Sequence, residues 1–177
     1  MRQSAIDVYK FSELSETAQD CAKQWHASGE WCWESEALAS IKALAAHFGG
    51  RMSGWSIDYA NCSYSSAQFD FDEPQPGYAE IKRGLLALGE FNPETLKGLG
   101  DCKLTGYCMD ESAIDGFRLA FHAGERDLGE LMEAAFRSWL KDCQADYASQ
   151  YENAEFADHC EANEYEFTAN GEIWGGA

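Results

Sequence analysis

An α+β fold is what this sequence predicts, on three observations. Residues 127–148 place Leu128, Leu131, Met132, Ala135, Phe136, Trp139, Leu140, Cys143 and Tyr147 at the i, i+3, i+4, i+7 spacing of one helical face. Shorter runs, Trp55-Ile57-Tyr59 and Phe69-Phe71 among them, alternate apolar with polar positions as strands do. Hydrophobic residues make up 45% of 177 and aromatics 14%, enough for a real core despite the charge. The expectation is one acidic domain over 1–177, with several helices, the long one included, packed on a small and mostly antiparallel sheet. The wide apolar stripe of 127–148 needs a partner surface, most simply that sheet.

In chain order, Ile6 and Val8 read as a short strand. Ser15 is suited to cap a helix that Glu16 opens, running to about Ala27 and burying Leu14, Ala18, Cys21, Ala22 and Trp25 before Ser28-Gly29. After Trp31-Cys32-Trp33, Ala37, Leu38, Ile41, Leu44, Ala45 and Phe48 make the stripe of a second helix that Gly49-Gly50 ends. Residues 61–66 would join the two alternating runs as a hairpin. The Glu73-Pro74-Gln75-Pro76-Gly77 breaker then opens a helix over 78–88 with Ile81, Leu85 and Leu88 inward. Asn92-Pro93 and 98–100 bracket an irregular segment, and Cys102 to Cys108 alternates like a strand. Asp110 is read as the cap of a helix carrying Ile114, Phe117, Leu119, Ala120 and Phe121. Beyond the long helix, 153–162 predicts a short helix with Phe156, Ala157 and Cys160 inward and Asn163 as its left-handed stop. Tyr165 to Thr168, the turn dipeptide Asn170-Gly171 and Ile173-Trp174 make a closing hairpin.

Charge is the best functional clue. The net charge is −18, and no Lys or Arg follows Lys141. Such a field repels nucleic acid and anionic membranes and attracts basic partners. No apolar run approaches the ~18 residues of a membrane span, and the first ten residues lack a secretory core, so a soluble, cytoplasmic protein is expected. Seven scattered cysteines without a Cys-x-x-Cys pair suggest small buried hydrophobes in a reducing compartment rather than disulfides or zinc.

Two blocks look familiar. Tyr9-Lys10-Phe11-Ser12-Glu13-Leu14-Ser15-Glu16-Thr17-Ala18 resembles the opening of a family of small acidic phage and prophage proteins. Glu161-Ala162-Asn163-Glu164-Tyr165-Glu166-Phe167-Thr168-Ala169-Asn170-Gly171 resembles that family's close, after a Trp-containing long helix. Some members carry an antitoxin-like label. The resemblance implies a phage or mobile-element setting, hence a host cytoplasm, and identifies no catalytic residue. The family's Gly-Asp-Gly-rich central hairpin is missing from 58–66, so nothing that hairpin does carries over.

Asp142, Asp146, Glu152, Glu155, Asp158, Glu161, Glu164 and Glu166 are the candidate partner-binding residues. Duplex DNA presents one charge per ~1.7 Å of axis, and carboxylates on a rigid scaffold can imitate that array. The expected function is an acidic interaction protein, a nucleic-acid mimic that blocks the basic DNA- or RNA-binding surface of a host defence complex, as anti-CRISPR and anti-restriction proteins do. The expected partner is that basic host protein, not nucleic acid itself or a membrane. The alternative is an antitoxin-like or structural binder using an aromatic–apolar patch, with Trp174 at a dimer or partner contact. A hydrolase has least support: Gly50 to Gly54 lacks the nucleophile-elbow spacing, and Gly98 to Gly100 is not followed by Lys and Ser or Thr. No cofactor and no metal is expected, because His159 and Cys160 are adjacent and point ~100° apart on a helix. Asp70 and Asp72 share a strand face without a calcium loop, which reads as a loop-edge cluster.

Overall fold

Each predicted helix forms, and what surrounds the long one is the main departure. The computed structural model describes residues 7–27, 34–92, 97–99 and 103–174. Ile6, Ser28-Gly29, Trp31, Cys32, Trp33, Pro93, Gly100 and Cys102 lie outside the described residues. The architecture is α+β, with three two-stranded antiparallel sheets among the described residues in place of one shared sheet. Contacts gather the chain into two compact units, Trp33–Tyr147 and a second made of Met1–Cys32 with Ala148–Ala177.

The end-built unit begins with a single helical turn at Phe11–Glu13, then α1 (Glu16–Ala27), where the Ser15 hydroxyl accepts from the Ala18 amide at 3.4 Å. Phe11, Leu14, Ala18, Ala22, Phe156, Cys160 and Phe167 form its core, but Cys21 and Trp25 face solvent. A two-turn apolar strip is all that this small core can cover, so the helix keeps one narrow face inward.

In the Trp33–Tyr147 unit, α2 (Glu34–His47) buries Ala37, Leu38, Ile41, Leu44 and Ala45 as expected. Gly49 at φ +76° turns the chain into β1 (Gly50–Ser56), a conformation that costs glycine little. β1 pairs antiparallel with β2 (Ser66–Phe71), with a register shift between Met52 and Gly54. β1 therefore starts five residues before Trp55, and Ile57 and Tyr59 lie past its end. Trp55 stays 46% exposed under the Lys42 ammonium, 4.3 Å from the ring centroid, and fills no core gap. The helix α3 (Tyr78–Ala87) buries Ile81 and Leu85, with Leu88 just beyond it. At the two ends of the segment expected to be irregular, β3 (Glu90–Asn92) pairs antiparallel with β4 (Lys97–Leu99), and residues 93–96 between them lie outside the described residues.

Residues 103–107 are a bend, not the strand that alternation suggested. The cause is Asp110, which lies inside α4 (Met109–Ala123) rather than capping it and holds that bend to the helix. α5 (Leu128–Ser149) buries Leu128, Leu131, Met132, Ala135, Phe136, Trp139, Leu140 and Cys143, the expected stripe save Tyr147. Its partners include two helices, and the segment after β1, where Gln144 donates to the Ala60 carbonyl at 3.2 Å. The fully buried Trp139 donates its indole N–H to the Ala37 carbonyl of α2 at 2.9 Å. At Gly116 of α4, an added Cβ would stand 2.5 Å from Ser138 Cβ and 2.7 Å from the Ala134 carbonyl. That glycine lets α4 and α5 touch backbone to backbone, which a sheet would not require.

In the end-built unit, α6 (Asn153–Ala162) has the predicted bounds. Its stop differs: Asn163 sits at φ −98°, and Glu164 at φ 54° takes the left-handed place. β5 (Glu166–Phe167) pairs with β6 (Ile173–Trp174), and Tyr9 exchanges two backbone hydrogen bonds with Phe167 at 2.8 and 2.9 Å. The two blocks that carry the family resemblance thus pack into this one unit.

Trp139→Phe should test the helix-on-helix account. It empties part of a closed site and removes the indole's bond to the Ala37 carbonyl, so urea unfolding should show a loss of about 2–4 kcal/mol.

Candidate functional site

Charge is concentrated in the end-built unit. Its 62 residues hold twelve acidic and three basic side chains, a net of −9, while the 115 residues of the other unit carry the same −9 from nineteen and ten. Helix α6 organises the acids. Phe156 and Cys160 anchor it in the core, which leaves the opposite side to solvent. Glu152, Glu155, Asp158, Glu161 and Glu164 recur at every third position and are all exposed. Within the helix, positions three apart rise about 4.5 Å and share a face. None of the five carboxylates is paired by a base among the described residues. Lys23 reaches α6 but bonds the Asn153 side-chain oxygen instead.

The other three candidates divide. Glu166 is half-buried on β5 and faces the Lys10 ammonium at 3.9 Å. Asp142 is exposed and Asp146 half-buried, and both belong to the Trp33–Tyr147 unit, outside the α6 row. Trp174 is 44% exposed, as expected of an aromatic at this end of the chain.

Two clusters escaped sequence reasoning. His26 on α1 and His159 on α6 bring their Nε2 atoms to 3.1 Å, although 133 positions apart in sequence. His26 Nδ1 lies 3.2 Å from the Tyr151 hydroxyl. Burial, with a smaller effect of His159, holds the His26 imidazole below its ordinary pKa, so it is neutral at neutral pH. In the Trp33–Tyr147 unit, α3 and α4 enclose a pocket of about 310 Å³ lined by Tyr78, Lys82, Phe121, His122 and Arg126, among others. The Arg126 guanidinium lies over both the Tyr78 and Phe121 rings, a local reversal of the protein's overall sign. No local periodicity announces either cluster.

The cysteines split against expectation. Cys143 and Cys160 are buried, but Cys21 and Cys108 are exposed. Burial pushes the Cys160 thiol up to about 11, so at neutral pH it is a packing group and not a thiolate nucleophile. No group of three His, Cys, Asp or Glu side chains positioned for a metal occurs among the described residues. Compared with known proteins, the chain matches no family model, no curated sequence and no solved structure.

The most strongly held acid is Asp110, fully buried. One oxygen accepts backbone N–H groups from Leu104, Thr105 and Gly106 at 2.7–3.0 Å, and the other accepts the Thr105 hydroxyl at 2.8 Å. Burial alone would raise its pKa, but these bonds together with the Ser40 hydroxyl more than offset it and hold the carboxyl below its usual value. A native pKa below the unfolded one contributes stability above the unfolded value near 3.9, lost as pH falls through the native value. Asp110→Asn should therefore cost about 2–3 kcal/mol in urea unfolding at pH 7, and the gap from the native chain should close below about pH 4.

Proposed function

We propose that the protein is an acidic interaction protein that presents α6 to a basic, nucleic-acid-binding surface and blocks it sterically and electrostatically, without turnover. The row Glu152, Glu155, Asp158, Glu161 and Glu164 carries this reading, because it is exposed, unpaired by any base among the described residues, and borne by a helix and its flanks that a buried face fixes. A surface that evolved to clear phosphates with Lys and Arg would meet in this row a substitute for the phosphate array, and its binding would weaken as salt rises. The resemblance of the two ends to small acidic phage and prophage proteins supports a host defence complex as the setting. Both blocks contribute to the unit that bears the row. Asp142 and Asp146 would add to the general field.

A second reading rests on Trp25 and Trp174, 40% and 44% exposed in the same unit. A binder using these aromatics, antitoxin-like or self-associating, would show affinity nearly independent of salt.

Glu155→Lys, Asp158→Lys, Glu161→Lys and Glu164→Lys combined should weaken binding to a labelled oligoarginine peptide at least tenfold, with the circular dichroism spectrum unchanged. Reversing Asp72, Glu73, Glu111 and Glu130, exposed acids of the other unit, changes net charge equally and should weaken it far less. Equal loss in the two variants would reduce the row to bulk charge. An unchanged affinity with Trp174→Ala costing more would favour the second reading.

A further inference from the structure

The contact between His26 and His159 is more specific than a hydrogen bond requires. Their Nε2 atoms are 3.1 Å apart, their ring centroids 4.8 Å apart, and the rings cross at 77°. A head-on N–H···N bond of that length would set the centroids about 5.4 Å apart, since each lies about 1.15 Å behind its nitrogen. The shorter separation means that the ring axes tilt off the line joining the nitrogens. Two nitrogens each about 2.1 Å from one ion and 3.1 Å apart would subtend about 95° at it, close to the angle of adjacent ligands on a transition metal.

We propose that His26 and His159 form a two-imidazole site for a divalent transition-metal ion of the Zn²⁺, Ni²⁺ and Cu²⁺ class. Three features of the surroundings favour it. The Tyr151 hydroxyl is placed to accept the His26 Nδ1 proton at 3.2 Å, which leaves the Nε2 lone pair free to bind. The His26 ring stands edge-on against Phe156, centroids 5.3 Å apart and planes at 79°, which fixes its orientation. The unit's net charge of −9 draws cations toward α6.

In the empty pair, Asn163 Nδ2, 3.5 Å from His159 Nδ1, leaves the His159 proton on Nε2, directed at His26. Metal binding moves that proton to Nδ1 through solvent, with no net release. Asn163 gives up only the long contact and keeps its 2.8 Å donation to the His159 carbonyl. With two protein ligands, the remaining positions fall to water or to a donor from another molecule. Nitrogen ligands exclude Mg²⁺ and Ca²⁺ and place Cu²⁺ as the tightest ion. This site goes beyond the acidic-row reading and does not depend on it.

Titration of the full chain with Ni²⁺ and with Zn²⁺ should show one saturable equivalent that EDTA removes. His26→Gln and His159→Gln should each weaken it at least tenfold, His122→Gln should not, and Tyr151→Phe should weaken it by ten- to a hundredfold. In the native chain, substoichiometric Ni²⁺ should broaden the ring-proton resonances of His26 and His159 before those of His47 and His122, a readout independent of how any variant folds. The proposal is overturned by no saturable binding, by binding that survives in both glutamine variants, or by broadening that starts at His47 or His122.

Discussion

Everything in the Trp33–Tyr147 unit depends on α5 having no free inner face. Trp139 is the reason. Its indole is the largest side chain in the core, and its N–H must find an acceptor once water is excluded. The acceptor is the Ala37 carbonyl of α2, so the position of α2 along α5 is set by a polar bond as well as by apolar fit. On α4, Gly116 lacks the Cβ that would stand 2.7 Å from the Ala134 carbonyl and force α4 away from α5. Phe48, after α2, then stacks on Phe117 with ring centroids 4.4 Å apart. Three helices close on one another, and the hairpins are left to cover edges.

That closure marks the limit of what the sequence discloses. Periodicity made α2, α3, α5 and α6 legible nearly to the residue, since each apolar stripe is a local property. It said that α5 needs a partner but not which kind, because a stripe does not record the shape of what meets it. Alternation from Cys102 to Cys108 suggested a strand. There the decisive force is Asp110, a single buried carboxylate that gathers three amides of the preceding segment and leaves no ladder to form. Cysteines were assigned to the core by type and Trp25 by helical spacing, yet Cys21, Cys108 and Trp25 face water; Cys21 and Trp25 lie on α1, of which the small end-built core covers only one face. The acids of the row were legible as a run with no Lys or Arg after Lys141; their exposure was not. Nor was the histidine pair, being made by the fold across 133 positions.

Charge and packing are linked through α6. Like charges three residues apart oppose helix formation by a few tenths of a kcal/mol per pair. Burial of Phe156 and Cys160, with the edge-on contact of Phe156 and Phe11 at 4.9 Å, outweighs that repulsion by more than 1 kcal/mol. The helix therefore tolerates carboxylates that no base pairs among the described residues.

The end-built unit also constrains how the chain comes to be folded. Tyr9 can meet Phe167, and Phe11 can meet Phe156, only after everything between them has been synthesised and drawn together. The entropy of closing so long a loop grows only slowly with length, but contacts of such high sequence separation form late. The Trp33–Tyr147 unit is in effect an insertion whose own collapse shortens the loop that the ends must close. Until then the first helix has no core to bury against, and Leu14, Ala18 and Ala22 stay in water. Residues 9–22 are thus completed only after residues 156–167 have been made, and α6 and both histidines reach the arrangement seen here in that late step.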